Sequence, residues 1–287
     1  MLVIFHKGCP DGWCAAYLVK KQFPEAVLHG MAYGEPVPWE AMVGHEVLLM
    51  VDFSFKRPQM IEILDKIPTV TIYDHHQTAQ KELEGLQEQY PHSTIVFDMN
   101  RSGATITYDE LYGVLPRTWF VNYVEDRDLW RHALPKSREV NAYLMTLPQI
   151  FYAWDQLNAL DWEEAARRGE GALSHVKHYV EKIVANHSKG SLGMPEMNRM
   201  FTVGIVNAPY PNCSEVGNVL SDQYDVGMSW FERNDGIIQF SFRSKQGSDV
   251  DVSTIAKTLG GGGHKHAAGA ELPIKEGRKL IDSIIGR

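Results

Sequence analysis

Four short apolar segments near the start of this chain constrain its fold more than any other feature. They cover residues 2–5, 47–53, 70–73 and 94–97, and they are rich in β-branched or aromatic residues without strict alternation. Strands buried on both faces have this pattern, whereas a strand with one wet face alternates. Helical patterns at 13–22, 57–66 and 104–112 separate the segments. We therefore predict an α/β fold whose N-terminal domain is a doubly wound, mainly parallel sheet.

The pattern changes in the second half of the chain. Apolar residues on one helical face predict a long amphipathic helix over about 158–186, which could connect two domains. Strands are predicted at 201–207, 226–232 and 237–244, and helices at 252–259 and 275–285; Arg233-Asn234-Asp235-Gly236 is a hairpin signal. We expect three parts: an α/β domain over 1–156, a helical linker over 157–192, and a smaller α+β domain over 193–287.

Polar residues follow three of the predicted strands. His6 comes after the first, Asp52 ends the second, and Asp74-His75-His76 follows the third. In open α/β sheets, ligands bind outside the carboxyl ends of the strands. Carboxylates together with imidazoles suit Mn²⁺, Mg²⁺ or Zn²⁺, and one carboxylate can bridge two ions. A lone histidine is more often an ordinary core or surface residue, but Asp-His-His after one strand and an Asp or His at two more strand ends favour a metal centre.

The residues around the third strand carry a family resemblance. Tyr73-Asp74-His75-His76-Gln77 resembles the namesake motif of the DHH phosphoesterase superfamily. Further blocks follow in the family's order: residues 5–12, Val51-Asp52, residues 100–104 and Glu125-Asp126. Residues 260–264, followed by Ala267-Ala268-Gly269, resemble the signature of the associated DHHA1 domain. Each block is weak alone, but the ordered set spans nearly the whole chain.

The resemblance implies roles for individual residues. The family's metal ligands correspond to His6, Asp11, Asp52, His75 and Asp126. They would hold two divalent ions, with Mn²⁺ expected, Mg²⁺ or Co²⁺ as alternatives, and Asp52 as the bridge. His76 corresponds to the histidine that faces the scissile phosphate, and Asp74 would orient the histidines, so these two form the expected catalytic pair.

One position departs from the family pattern. Many members carry an acid two positions before the Asp-Gly of the first motif, and here that position is Cys9. The first metal would then be weaker, or held by fewer protein ligands and more water. Cys9 is either a thiolate ligand or a small buried thiol, and the second reading is favoured.

Substrate-binding residues are expected in both halves. Gly262 and Gly263 could form an anion-binding nest, beside which His264 and Arg243 would grip a phosphate or stack on a base; the alternative is a plain connecting loop. Arg101 and Ser102 either contact phosphate or simply start a helix. Asp128 is either a surface acid or a partner of Arg127 or of a metal-bound water.

The resemblance implies a metal-dependent phosphodiesterase that hydrolyses short oligonucleotides or linear or cyclic dinucleotides by metal-activated water. The substrate would enter between the two domains. In form the chain is closest to nanoRNase B-like oligoribonucleases and cyclic-nucleotide phosphodiesterases. Two alternatives stay open: an exopolyphosphatase or other phosphoanhydride hydrolase, and a non-catalytic nucleotide-binding regulator.

Charge and cysteine usage limit the partners. The net charge of −8 disfavours a long footprint on duplex DNA, so short single-stranded RNA or DNA is expected instead. No apolar run reaches the ~20 residues of a membrane span, and the start of the chain lacks signal-peptide features. Three cysteines without zinc-type spacing fit a reduced compartment, so we expect a cytoplasmic protein without a membrane partner. The oligomeric state, including a homodimer, stays open.

Overall fold

The computed structural model describes residues 1–113, 115–194 and 199–287. It divides into two compact units, Met1–Leu173 and Ser174–Arg287. The boundary between the units falls inside the predicted linker, and the predicted limits at 156 and 192 stay a prediction. In the described part of the chain, no helix is both long and apolar enough to cross a membrane.

The N-terminal unit is built on a parallel sheet. Its strands are β1 (Leu2–His6), β2 (Val27–Met31), β3 (Val47–Val51), β4 (Thr69–Asp74) and β5 (Ser93–Phe97). Their order is β2-β1-β3-β4-β5, and every neighbouring pair is parallel. The chain changes direction across the sheet between β1 and β3, where doubly wound folds open a crevice. The predicted parallel α/β fold is confirmed.

Helices cover both faces of this sheet. They are α1 (Pro10–Gln22), α2 (Trp39–Met42), α3 (Arg57–Lys66), α4 (Gln77–Glu82), α5 (Leu86–Gln89), α6 (Gly103–Tyr112), α7 (Trp119–Asp128), α8 (Ser137–Leu144), α9 (Phe151–Asp155) and α10 (Trp162–Val184). Val3 and Phe5 of β1 pack into the core that contains α1, whereas Ile4 packs into the core of α3. This two-sided burial is the physical reason that the strands do not alternate.

The C-terminal unit has a mixed sheet. Its strands are β6 (Ser188–Met194), β7 (Arg199–Asn207), β8 (Val226–Glu232), β9 (Ile237–Arg243), β10 (Gly262–His264) and β11 (Ala267–Pro273), in the order β10-β11-β9-β8-β7-β6. Only the β7–β8 pair of this sheet is parallel among the residues described. The helices are α11 (Cys213–Ser221), α12 (Val252–Thr258) and α13 (Ile274–Ile285). The predicted α+β class is confirmed.

Candidate metal centre

The carboxyl ends of β1, β3 and β4 bring a group of acids and imidazoles together. His75 lies at the centre: its Nε2 is 3.1 Å from Asp52 Oδ1, 3.4 Å from Asp128 Oδ2 and 3.6 Å from Asp11 Oδ2. His6 Nδ1 lies 3.4 Å from the other Asp52 oxygen, Oδ2. Four of the five predicted ligands therefore meet at one edge of the sheet, together with Asp128.

Asp52 occupies an unusual backbone conformation. It follows the end of β3 with φ +53°, a region that costs a residue other than glycine on the order of 1–3 kcal/mol and that is often associated with function. Its side chain is 1% exposed, and within the described residues its Oδ2 receives no hydrogen bond. A buried carboxylate oxygen without a donor is unfavourable, and a bound cation would satisfy it.

The N-terminus of α6 fixes Asp11. The backbone N–H of Gly103 donates to Asp11 Oδ2 at 2.7 Å, and that of Ala104 donates to Oδ1 at 3.0 Å. The helix end also contributes partial positive charge. The approach is close: a Cβ on Gly103 would lie only 2.5 Å from the Cβ of Asp52. The motif at 100–104 therefore has a structural task, which is to position a candidate ligand.

Arg101 and Ser102 do not point to a phosphate site in this geometry. Arg101 pairs with Asp98 at 2.7 Å and with Asp109 at 2.9 Å. Ser102 is fully buried, and its hydroxyl accepts the N–H of Thr105 at 3.3 Å as the N-cap of α6. The helix-start alternative describes Ser102, and the phosphate contacts of these two residues stay a prediction.

The acid of α7 that joins the group differs from the one we predicted. The carboxylate of Asp126 accepts the backbone N–H groups of Ala133 at 2.9 Å and Leu134 at 3.3 Å, so it holds the loop after α7. Asp128 lies against His75 instead. Residues two apart on a helix are rotated by about 200°, so these two acids face different ways. Asp126 is thus replaced by Asp128 in the candidate centre.

Asp74 orients the histidines that follow it. Its Oδ1 accepts the backbone N–H of His75 at 2.7 Å and lies 2.6 Å from Nδ1 of His76. Its Oδ2 accepts the Ser54 hydroxyl at 2.8 Å. Nδ1 of His76 is therefore assigned as the protonated nitrogen in this pair. This geometry matches the orienting role expected of Asp74, in which Ser54 is a partner that the sequence did not indicate.

The electrostatics of the group favour a bound cation. Burial and the charges of Asp52 and Asp128 raise the pKa of Asp11, and burial and Asp52 also raise the pKa of Asp128. Burial would lower the pKa of His75, but the charges of Asp128 and Asp52 and a hydrogen bond to Asp52 raise that pKa to about 10. Burial, Asp52 and Asp128 raise the pKa of the Cys9 thiol. Burial is the largest cause of the raised pKa values of Asp11, Asp128 and Cys9, and the neighbouring negative charges add to it. A bound metal ion would neutralise those charges.

The donor atoms fall into groups suited to divalent metals. Those of Asp11, His75 and Asp128 lie within 4.8 Å of one another, as do those of His6, Cys9 and Asp52. Asp52 offers Oδ1 toward His75 of the first group and Oδ2 toward His6 of the second. The residues present therefore fit a pair of divalent ions, with Asp52 able to bridge them.

Tyr33 is an aromatic neighbour of the site that the sequence did not indicate. Its ring is 42% exposed and stacks on Phe53 with centroids 4.9 Å apart. Its hydroxyl lies 3.3 Å from Nδ1 of His76, and its ring centroid lies 5.1 Å from that of His6. Tyr33 follows β2, whose residues are VLHGM. Because this segment contains a histidine and a glycine, the sequence did not predict a strand there.

In the C-terminal unit, the tetraglycine is part of a hairpin rather than a free loop. Gly262, Gly263 and His264 form β10, which pairs with β11. Gly263 has φ +137°, and a Cβ there would lie 2.5 Å from the carbonyl oxygen of Ala267. Glycine is thus needed here for packing, whatever its part in binding. Arg243 donates to the hydroxyls of Ser241 at 2.9 Å and Ser214 at 2.8 Å.

Comparisons with known proteins agree with this architecture. Residues 203–287 match the DHHA1 domain model, which confirms the predicted C-terminal domain. The fold matches the pGpG-specific phosphodiesterase PggH from Vibrio cholerae with a TM-score of 0.52 and 11% identity, over 99% of this chain and 97% of the other. The first finding identifies the C-terminal domain, and the second shows the fold of the chain.

Two further matches are to proteins named as uncharacterized. An uncharacterized protein of Acanthamoeba polyphaga mimivirus is 26% identical over 93% of this chain, which spans 66% of that relative, slightly less than two thirds of its length. An uncharacterized protein from Helicobacter pylori matches 99% of this chain and 98% of its own, with a TM-score of 0.39 and 16% identity. A TM-score of 0.39 does not establish a shared fold.

Proposed function

We propose that this chain, a two-unit protein with the fold and DHHA1 domain of the DHH/DHHA1 phosphoesterase superfamily, is a metal-dependent phosphodiesterase. Its substrates are short oligonucleotides or linear or cyclic dinucleotides. The observation that carries the proposal is the convergence of the buried Asp11 and Asp52 and the partly buried Asp128 on His75 at the carboxyl edge of a parallel sheet. A phosphodiesterase fold match to PggH, which acts on the dinucleotide pGpG, is consistent with it.

Two sets of ligands follow from the proposal. Asp11, His75 and Asp128 hold one divalent ion, and His6 with Asp52 holds the other, with Asp52 shared. When bound, such ions activate a water molecule and stabilise negative charge on phosphate oxygens. The expected metal is Mn²⁺, with Mg²⁺ or Co²⁺ as alternatives, because imidazole and carboxylate donors both occur in the site.

His76 is the proposed contact to the scissile phosphate. Burial would lower its pKa, but the charge of Asp74 and a hydrogen bond to it raise that pKa, so the imidazolium form is favoured. Asp74 holds the ring orientation through Nδ1 at 2.6 Å. A fixed cation that points at developing negative charge stabilises the transition state without reorganisation.

Tyr33 favours a nucleotide over polyphosphate as substrate. An exposed aromatic ring next to the candidate centre can stack on a base, which contributes about 1–3 kcal/mol per base. Polyphosphate has no base, so an exopolyphosphatase would gain nothing from this ring.

We assign capture of the far end of the substrate to His264, Arg243, Gly262 and Gly263 of the C-terminal unit.

A substrate panel tests the proposal. The protein is stripped of metal and assayed with Mn²⁺, Mg²⁺ and Co²⁺ on linear and cyclic dinucleotides, short RNA, short DNA and polyphosphate. We expect Mn²⁺ to restore hydrolysis of dinucleotides and short RNA. Hydrolysis of polyphosphate alone would favour the phosphoanhydride alternative, and tight binding without hydrolysis would favour the regulator. Full activity after exhaustive chelation would contradict the metal centre.

Tyr33 variants separate base recognition from catalysis. Tyr33→Ala should raise the KM for dinucleotides about 5- to 150-fold through lost stacking, with a smaller effect on kcat. Tyr33→Phe keeps the ring and serves as the matched control. If both variants lose activity equally, the contact of the Tyr33 hydroxyl with His76 matters instead, and the argument for a base falls.

A further inference from the structure

We propose that Cys9 binds a metal ion through its Sγ atom, so that the ion held by His6, Cys9 and Asp52 is of a softer kind, such as Zn²⁺ or Co²⁺. The ion held by Asp11, His75 and Asp128 has only nitrogen and oxygen donors and would keep a preference for Mn²⁺ or Mg²⁺. The inference rests on the proposed metal centre, but it concerns which ion occupies one half of it.

The placement of Cys9 is the first observation. It lies between β1 and α1, and its donor atom is within 4.8 Å of those of His6 and Asp52. Its carbonyl accepts the side-chain amide of Gln149 at 3.1 Å and the N–H of Trp13 at 3.1 Å, which fixes the backbone. Cys9 is also the N-cap residue of the 13-residue helix α1.

The second observation comes from Asp52. Its side chain belongs to the same donor group as Cys9. Its Oδ2 is buried and accepts no hydrogen bond from the residues that the structure describes. This oxygen lies 3.4 Å from Nδ1 of His6, the third member of the group. One cation bound among these three side chains would satisfy the orphaned oxygen.

Comparison with Cys14 shows what a merely space-filling thiol looks like here. Cys14 lies five residues further along the chain, within α1, is fully inaccessible, and packs in the apolar core. Cys9 is partly exposed and is grouped with an imidazole and a carboxylate. Its surroundings are therefore those of a ligand and not those of a core residue.

The chemistry of the donor set determines the preference. Thiolate sulfur is a soft donor that selects Zn²⁺ over Mg²⁺ or Mn²⁺, which prefer oxygen. Coordination breaks the S–H bond, forms a sulfur–metal bond and releases the proton to solvent. A carboxylate at the same position would leave both halves of the centre with hard donors.

Cobalt spectroscopy tests the inference. Metal-free protein is titrated with Co²⁺, and the near-ultraviolet band for thiolate-to-cobalt charge transfer is followed in wild type, Cys9→Ser, Cys9→Asp and Cys14→Ala. We expect the band in wild type and Cys14→Ala and its loss in both Cys9 variants. In parallel, alkylation is measured by mass spectrometry. Cys9 should be the thiol that reacts, because Cys14 and Cys213 are buried. Bound Zn²⁺ should protect Cys9 from this reaction.

Competition titrations measure the preference itself. Cys9→Asp should change the ratio of Zn²⁺ to Mn²⁺ affinity by roughly tenfold or more in favour of Mn²⁺. Mutation of a residue that only contacts a metal ligand already changes metal affinity by about that factor. If wild type binds two metal ions but shows no charge-transfer band and no protection of Cys9, the inference is overturned. If the band is present but no phosphodiester is cleaved with any metal, the proposed function fails and the thiolate site stands.

Discussion

The carboxyl edge of the parallel sheet and the β10–β11 hairpin bring polar side chains together in different ways. At the parallel edge, His6, Asp52 and His75 are far apart in sequence. They meet because the parallel strands β1, β3 and β4 all end on the same side of the sheet. In the antiparallel hairpin, His264 pairs with Ala267 three residues later. The first arrangement depends on the whole sheet, whereas the second depends on local backbone geometry. Mutations should therefore act on metal and turnover in one region and on stability and KM in the other.

The largest effect is expected at Asp128. Asp128→Ala should lower kcat at least about a thousandfold, since a bound metal contributes several kcal/mol and each ~1.4 kcal/mol is tenfold. Bound metal, measured by elemental analysis, should fall as well. Wild-type turnover in this variant would remove Asp128 from the centre.

Asp126→Ala is the matched control, two residues away on the same helix. It leaves the N–H groups of Ala133 and Leu134 without their acceptor. It also loosens a loop in which Trp130 and His132 have positive φ. We expect a loss of about 2–4 kcal/mol in the free energy of unfolding, measured by denaturant titration, with metal content retained. Lost metal in a folded Asp126→Ala protein would restore the original assignment.

In the hairpin, Gly263→Ala should mainly reduce stability. The Cβ meets the carbonyl oxygen of Ala267 at 2.5 Å, and φ is +137°, so we expect a loss of about 1–3 kcal/mol in unfolding free energy. Gly260→Ala, with φ +79° and no atom within 4 Å of the added Cβ, isolates the backbone cost. Equal losses in both variants would show that the close approach is unimportant.

His264→Ala tests binding in the same hairpin. We expect an increased KM, larger for dinucleotides than for longer oligomers, because a longer substrate has other contacts to hold it. Metal content should stay at the wild-type value. Equal changes for all substrates would indicate that His264 is structural, and the capture role of the C-terminal unit would then fail.

The smallest effect concerns pH and the loop that Asp126 holds. Burial and the charges of Arg138 and Arg127 lower the pKa of His132 to about 4. The unfolded chain, with a pKa near 6.5, binds the proton first, so this group costs stability as pH falls from about 6.5 to 4. His132→Asn, which tolerates the φ of +47°, should flatten that part of the stability curve. An unchanged slope would place the acid sensitivity elsewhere.

The sequence predicted the fold class and the polar ends of three strands for physical reasons, whereas the family resemblance supplied the individual ligand roles. Strands buried on both faces need apolar residues at nearly every position. Polar residues such as His6, Asp52 and His75 therefore mark in the sequence where each of these strands ends. Elements with little apolar signal were not predicted. β2 is an edge strand with a histidine and a glycine, and β10 is made of two glycines and a histidine. Because β2 was not predicted, the sequence also gave no reason to place Tyr33 near the site.

By itself, the sequence determined that this chain alternates strands and helices and that acids and histidines end three buried strands. Only the tertiary structure decided which polar residues face the centre. Asp126 and Asp128 are equally acidic in sequence, but the helix turns them apart, and the loop after α7 takes the backbone partners of Asp126. Ser102 became an N-cap because α6 begins against Asp11. The direction of a side chain depends on packing between distant segments, and no local pattern contains that information.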